Sequence, residues 1–156
     1  MGEKGATLIE ALIALSVAVA IVSAIVVAVI SSLSNAQFTR NQNQANHFAQ
    51  EGMEIVRQIR NNSWISFINL SSTYYCLDEN SKALTTKGVS GCGQNIGIYI
   101  REINIEHNNS PSCVGTSRVT SNVSWSDAKC TDVRNTFCHK VTLISCMGNN
   151  NAVPTP

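Results

Sequence analysis

A chain of 156 residues with net charge +1 suits one small domain plus one long element, and its 11 basic and 10 acidic residues form no cluster that would neutralise a row of phosphates. That balance excludes a strong field for nucleic acid or an anionic surface. The averages conceal two unlike halves: residues 11–39 carry no charged side chain, whereas the remainder is polar, rich in Asn, Ser and Thr, and holds all six cysteines between Cys76 and Cys146.

The chain opens Met1-Gly2-Glu3-Lys4-Gly5-Ala6-Thr7-Leu8-Ile9-Glu10, and residues 11–30 are apolar except for Ser16 and Ser23. Twenty residues at about 1.5 Å each give about 30 Å, the thickness of a bilayer core. Neither Pro nor Gly interrupts the run, so it reads as a helix that spans a membrane or lies in an equivalent apolar packing. A secretory signal has a shorter apolar run, about 7–15 residues. A plain anchor accounts for the length but not for Glu10. A carboxylate at the lip of an apolar helix costs a few kcal/mol unless it is paired, and no basic side chain follows until Arg40. A cut after Gly5 would place a new α-amine at Ala6, about one helical turn before Glu10. The amine of a neighbouring copy would serve equally, and a carboxylate near a helix N-terminus complements the helix dipole.

Lys4-Gly5-Ala6-Thr7-Leu8-Ile9-Glu10 followed by an uncharged apolar helix resembles the N-terminal processing motif of type IV pilins and type II secretion pseudopilins. The resemblance covers about the first thirty residues. It implies that a prepilin peptidase cuts between Gly5 and Ala6 and methylates Ala6, and that Thr7, Leu8, Ile9 and above all Glu10 serve assembly with a neighbour's N-terminus. Ala6 stands where the family usually has Phe or Met, and Val27 where major pilins often have a helix-kinking proline, which tilts the resemblance toward a minor subunit. The implied partners are other pilin or pseudopilin subunits, the peptidase, an inner-membrane assembly platform, and the bilayer before assembly. The implied location is the cytoplasmic membrane with the N-terminus inside, then an extracytoplasmic filament.

Past the apolar run the chain stays helical in pattern. Residues 33–46 are polar with only Arg40 charged, and Ala45, Phe48, Ala49, Met53, Val56 and Ile59 fall at helical spacing. Glu54 and Arg57 are placed to pair on the surface. Gly52 costs about 1 kcal/mol of helix propensity against Ala and points to close packing. Asn61-Asn62-Ser63 reads as a stop. A helix continuous from Ala6 to Asn61 would be about 80 Å long. The phrase from Ala49 to Arg57 also resembles the second helical half of pilin-like minor subunits.

The segment from Trp64 to Leu70 reads as a helix end or turn, Thr73 to Leu77 as a strand, and Asp78 to Gly93 as a loop. Ile96, Ile98 and Ile100 alternate, and Ile103 and Ile105 alternate in the other phase, which predicts a β-bulge near Arg101-Glu102. Val119, Ser121, Val123 and Trp125 share one face of a next strand, opposite Thr120, Asn122 and Ser124. Phe137, Val141 and Leu143 share a face of another, opposite Lys140 and Thr142. The fold class expected is α+β: a long N-terminal helix packed on an antiparallel sheet of three or four strands. The organisation expected is a leader at 1–5, a transmembrane or filament-core helix at 6–30, an amphipathic continuation at 31–62, a globular β domain at 63–147 and a disordered tail at 148–156.

Six cysteines behind a membrane segment suggest disulfides, and no pair lies closer in sequence than Cys130 and Cys138, a spacing that forms no zinc knuckle. Cys138 and Cys146 on one strand would lie about 26 Å apart and cannot bond to each other. Of fifteen possible connectivities, Cys76–Cys92 is favoured as a staple of the loop before the strands, with Cys130–Cys138 and Cys113–Cys146 completing the set.

No catalytic pattern emerges. His47, His107 and His139 are scattered, and His139 beside Cys138 would point to the opposite strand face. Asp78 and Glu79 sit in a polar loop, and the sequons beginning at Asn61, Asn69, Asn108 and Asn122 are unremarkable in so Asn- and Ser-rich a chain. Phosphate loops and hydrolase motifs are missing, and no cofactor or metal is expected. The leading expectation is therefore a structural filament subunit serving adhesion, motility, DNA uptake or secretion. The rival is a single-pass anchored binding domain that does not polymerise, and a poorer third is an anchored redox enzyme using the cysteines.

Overall fold

The computed structural model describes residues 3–107, 112–127, 130 and 139–149, with side chains from Thr7 onward. The elements run α1 (Glu3–Asn62), α2 (Trp64–Ile68), β1 (Tyr74–Cys76), β2 (Thr85–Thr86), β3 (Tyr99–His107), β4 (Ser117–Trp125) and β5 (His139–Met147). The chain divides into two compact units, Met1–Asn41 and Gln42–Pro156. The globular unit therefore begins inside α1, some twenty residues before the boundary expected at 63.

Unit one is α1 alone over its apolar and polar-uncharged stretches. Unit two holds the rest of α1, α2 and a five-stranded antiparallel sheet in the order β2-β1-β3-β4-β5. The α+β class is as expected, with one strand more. The added strand is β2, two threonines too short to register as a periodic pattern. Asn62 ends α1 where the Asn-Asn-Ser stop stands, and the Ser63 hydroxyl caps α2 by accepting from the Ser66 amide at 3.1 Å.

Within unit two, Ala45, Ala49, Met53 and Val56 of α1 are buried against the sheet, and Phe48 and Ile59 partly so. A buried Met or Val contributes about 1.5–3 kcal/mol, so this stripe is the main apolar tie between helix and strands. Ile55 is buried too, which the stripe did not include. The closest approach is at Gly52. A Cβ there would lie 3.1 Å from Arg101 Cδ, Ile103 Cδ1 and Ser121 Oγ, so only glycine fits without displacement. Ser121, small and inward-facing at the middle of β4, is the matching recess.

The expected β-bulge is absent. β3 and β4 pair one to one from Tyr99↔Trp125 to His107↔Ser117. The phase change has another cause: Gly97 takes a left-handed φ of 56° and the chain turns, with Ile96 bridging Tyr99, so the strand starts only at Tyr99. From there the inward positions are Tyr99, Arg101, Ile103 and Ile105, all buried. Arg101 shares the inward phase of Ile103 and Ile105, a position that a pattern of apolar residues alone does not show. β4 follows expectation, with Val119, Ser121, Val123 and Trp125 inward. On β5, Val141 and Leu143 turn inward against exposed Lys140 and Thr142, while Phe137 lies outside the described residues.

Two disulfides pair as expected, Cys76–Cys92 and Cys113–Cys146, with Cα separations of 5.3 and 5.5 Å. The pairing Cys130–Cys138 lies outside the described residues because Cys138 does. Among the described cysteines none is free.

Candidate functional site

In unit one the feature with functional content is the α1 surface itself. Leu8, Ile9, Leu12, Ile13, Val22 and Ile30 are each exposed by more than half, and the apolar window has no part buried. With Val17, Ile21 and Ile25, exposed to a similar degree, they are spaced all round the helix, so the apolar surface is a full sleeve rather than a stripe. The polar side chains within it are satisfied internally. Ser16 Oγ donates to Ile13 O and Ser23 Oγ to Val19 O, each at 2.8 Å, so neither hydroxyl asks for water. A sleeve of this kind is at rest only in lipid or among other apolar helices. By length and composition it is the one helix among the described residues able to cross a membrane.

Gly5 and Ala6 fall in the first turns of α1, and Thr7, Leu8, Ile9 and Glu10 follow on it, exposed. The helix sets Ala6 and Glu10 one turn apart. No ion pair to Glu10 occurs among the described residues, so its countercharge is not supplied by any of them.

Unit two contains a polar cluster that sequence reasoning missed. The Arg101 side chain is wholly buried between α1, β3 and the loop after β1. Its Nη1 donates to Glu51 Oε2 at 2.8 Å and to Phe48 O at 3.2 Å, its Nε to Leu77 O at 3.1 Å, and its Nη2 to Asp78 O at 3.0 Å. β1 ends opposite Glu102, so the Arg101 backbone has no strand neighbour on that side. Asn95 takes the place of one. Its Oδ1 accepts from the Arg101 amide at 2.8 Å, and its Nδ2 donates to Arg101 O at 3.0 Å and to Leu77 O at 3.3 Å. Cys76–Cys92 closes the loop that presents these carbonyls. The signal was present in the inward phase of Tyr99, Arg101, Ile103 and Ile105, but only for a reader who gave up the bulge.

The expected surface pair is made, Arg57 Nη1 to Glu54 Oε2 at 3.1 Å. The histidines occupy separate places. His47 is exposed on α1, His107 Nδ1 lies 2.7 Å from Ser117 Oγ, and His139 stacks on Trp125 with Nε2 3.0 Å from Asp127 Oδ2. Asp127 was not foreseen. Burial pushes the Tyr75 phenol above its ordinary range, opposed in part by its hydrogen bond to Ser71 O. Among the described residues no three His, Cys, Asp or Glu converge as a metal site would require. The arrangement can present an apolar sleeve and hold a domain firmly on its helix. No family model, curated protein or solved structure matches this chain.

Proposed function

We propose that this chain is a structural subunit of a type IV pilus or pseudopilus filament, most akin to a minor subunit. A prepilin peptidase removes residues 1–5 and methylates Ala6, and assembly machinery moves α1 from the cytoplasmic membrane into a bundle with neighbouring subunits. The observation that carries this reading is the uncovered apolar sleeve of α1 with Glu10 at its lip, one turn beyond the Gly5–Ala6 bond. Lipid contacts are exchanged for helix contacts, so apolar burial changes little on assembly. The charge at Glu10 then decides register, because leaving it unpaired among apolar helices costs a few kcal/mol. The role is architectural and involves no catalysis.

Two substitutions test it. Glu10→Ala leaves membrane insertion and trimming intact and depletes the protein from sheared filaments. Normal incorporation would remove Glu10 from the assembly role. Gly5→Leu blocks trimming, so the protein keeps its precursor mass; an unchanged mature mass would place the cut elsewhere.

A further inference from the structure

β5 is an edge strand of nine residues whose outer side pairs with no other described strand. Such edges are ordinarily guarded by prolines, bulges or charges. β5 has no proline, pairs one to one with β4, and carries a single lysine, Lys140. The direction of its backbone groups follows from β3. There the amides of Tyr99, Arg101, Ile105 and His107 bond away from β4, to Ile96 O, Asn95 Oδ1, Thr73 O and Ser72 Oγ. Alternation turns the even residues of β3 toward β4 and the odd residues of β4 and β5 toward each other. The backbone groups of β5 that point away from β4, unpaired among the described residues, are therefore those of Lys140, Thr142, Ile144 and Cys146. Between this edge and α1 runs a groove of about 240 Å³ lined by Gln50, Met53, Arg57, Leu143, Ile144 and Ser145.

Residues 150–156, Asn-Asn-Ala-Val-Pro-Thr-Pro, carry their two prolines at alternate positions. Prolines 154 and 156 share a phase, so an extended segment offers donors along Asn151, Val153 and Thr155 and none along the opposite edge. We propose that the free edge of β5 takes an added strand from residues 150–156 of a second copy of this chain. Val153 lies opposite Ile144 in antiparallel register, with Asn151 opposite Cys146 and Thr155 opposite Thr142. Residues on opposite strands share a face, so Val153 covers the half-exposed Ile144 side chain on the outer face. Ala152, Pro154 and Pro156 turn inward to the groove beside Met53 and Leu143. Affinity comes from main-chain bonds and selectivity from the groove, and the paired prolines stop further strand addition.

The same copy cannot supply this strand in full. To set Asn151 opposite Cys146, the turn would have to start at Met147, which is buried, extended and paired with Ser117. Nor does Gly148 adopt the positive φ of a tight hairpin turn. Starting two residues later leaves only Val153 and Thr155 opposite the edge. A second copy has no such constraint. The proposal rests on the filament reading for what brings copies side by side.

The test uses the full-length chain in cells, with a photo-crosslinking amino acid replacing Ile144 and an isotopically heavy copy lacking it. The expected product joins position 144 of a light chain to residues 150–156 of a heavy one. Val153→Pro removes the central donor and lowers that yield about tenfold, the worth of one unmade bond. Ala152→Pro, on the non-bonding edge, leaves it unchanged. Crosslinks within one chain, to another protein, or none at all overturn the proposal, as does equal loss in both proline variants. The N-terminus read from the same sample separates the two ideas: chains trimmed to Ala6 without the crosslink sink the added strand alone, and untrimmed chains sink the filament reading.

Discussion

Arg101 decides how unit two holds together at the scale of a single side chain. A guanidinium with no exposed surface is tolerable because its charge meets Glu51 and its remaining donors meet three carbonyls. Arg101→Met fills similar space but leaves Leu77 O and Asp78 O without these donors, and we expect it to destabilise unit two by about 3 kcal/mol, read as a lowered midpoint of chemical unfolding by Trp125 fluorescence. Arg101→Lys fails to rescue, since one ammonium cannot span the same fork. Tyr75 gives a prediction of different sign. Its phenol pKa is raised by burial, so the unfolded chain gives up that proton at lower pH than the folded one. The stability tied to neutral Tyr75 is complete below about pH 10 and is lost as pH rises through the folded value. Tyr75→Phe should flatten this alkaline limb of the unfolding curve, and an unchanged limb would assign it to other groups.

At the scale of elements, the seam between α1 and the sheet is set by Gly52 over Ser121. Gly52→Leu improves helix propensity yet drives four carbons into Arg101, Ile103 and Ser121. Overpacking of this kind costs about 1–3 kcal/mol, so the unfolding midpoint should fall despite the better helix former. The helix, its stop, its inward stripe and the faces of β4 were legible because apolar periodicity writes them directly. β2 was not, because two threonines have no period. The start of β3 was misjudged because the turn at Gly97 separates Ile96 and Ile98 from the strand, and the inward Arg101 within it has no apolar signature. Of the cysteine pairs, Cys76–Cys92 was legible from the loop it closes, whereas Cys113–Cys146 followed only as a pairing that completed the set, because strand phase excluded no more than Cys138–Cys146.

For the whole molecule, an apolar sleeve in unit one and a disulfide-stapled α+β domain in unit two divide two tasks. The sleeve suits a membrane or a helix bundle, and only the residues before it speak for one over the other. Gly5, Ala6 and Glu10 carry the filament reading because the proposed processing would create a positive group one turn from a carboxylate that has no ion pair among the described residues. Intact-mass and N-terminal sequencing of the protein taken from cells tests this most directly. The account predicts a chain that starts at N-methylated Ala6. A chain that keeps residues 1–5, or starts beyond the apolar helix, would contradict it and leave an anchored or released domain that builds no filament.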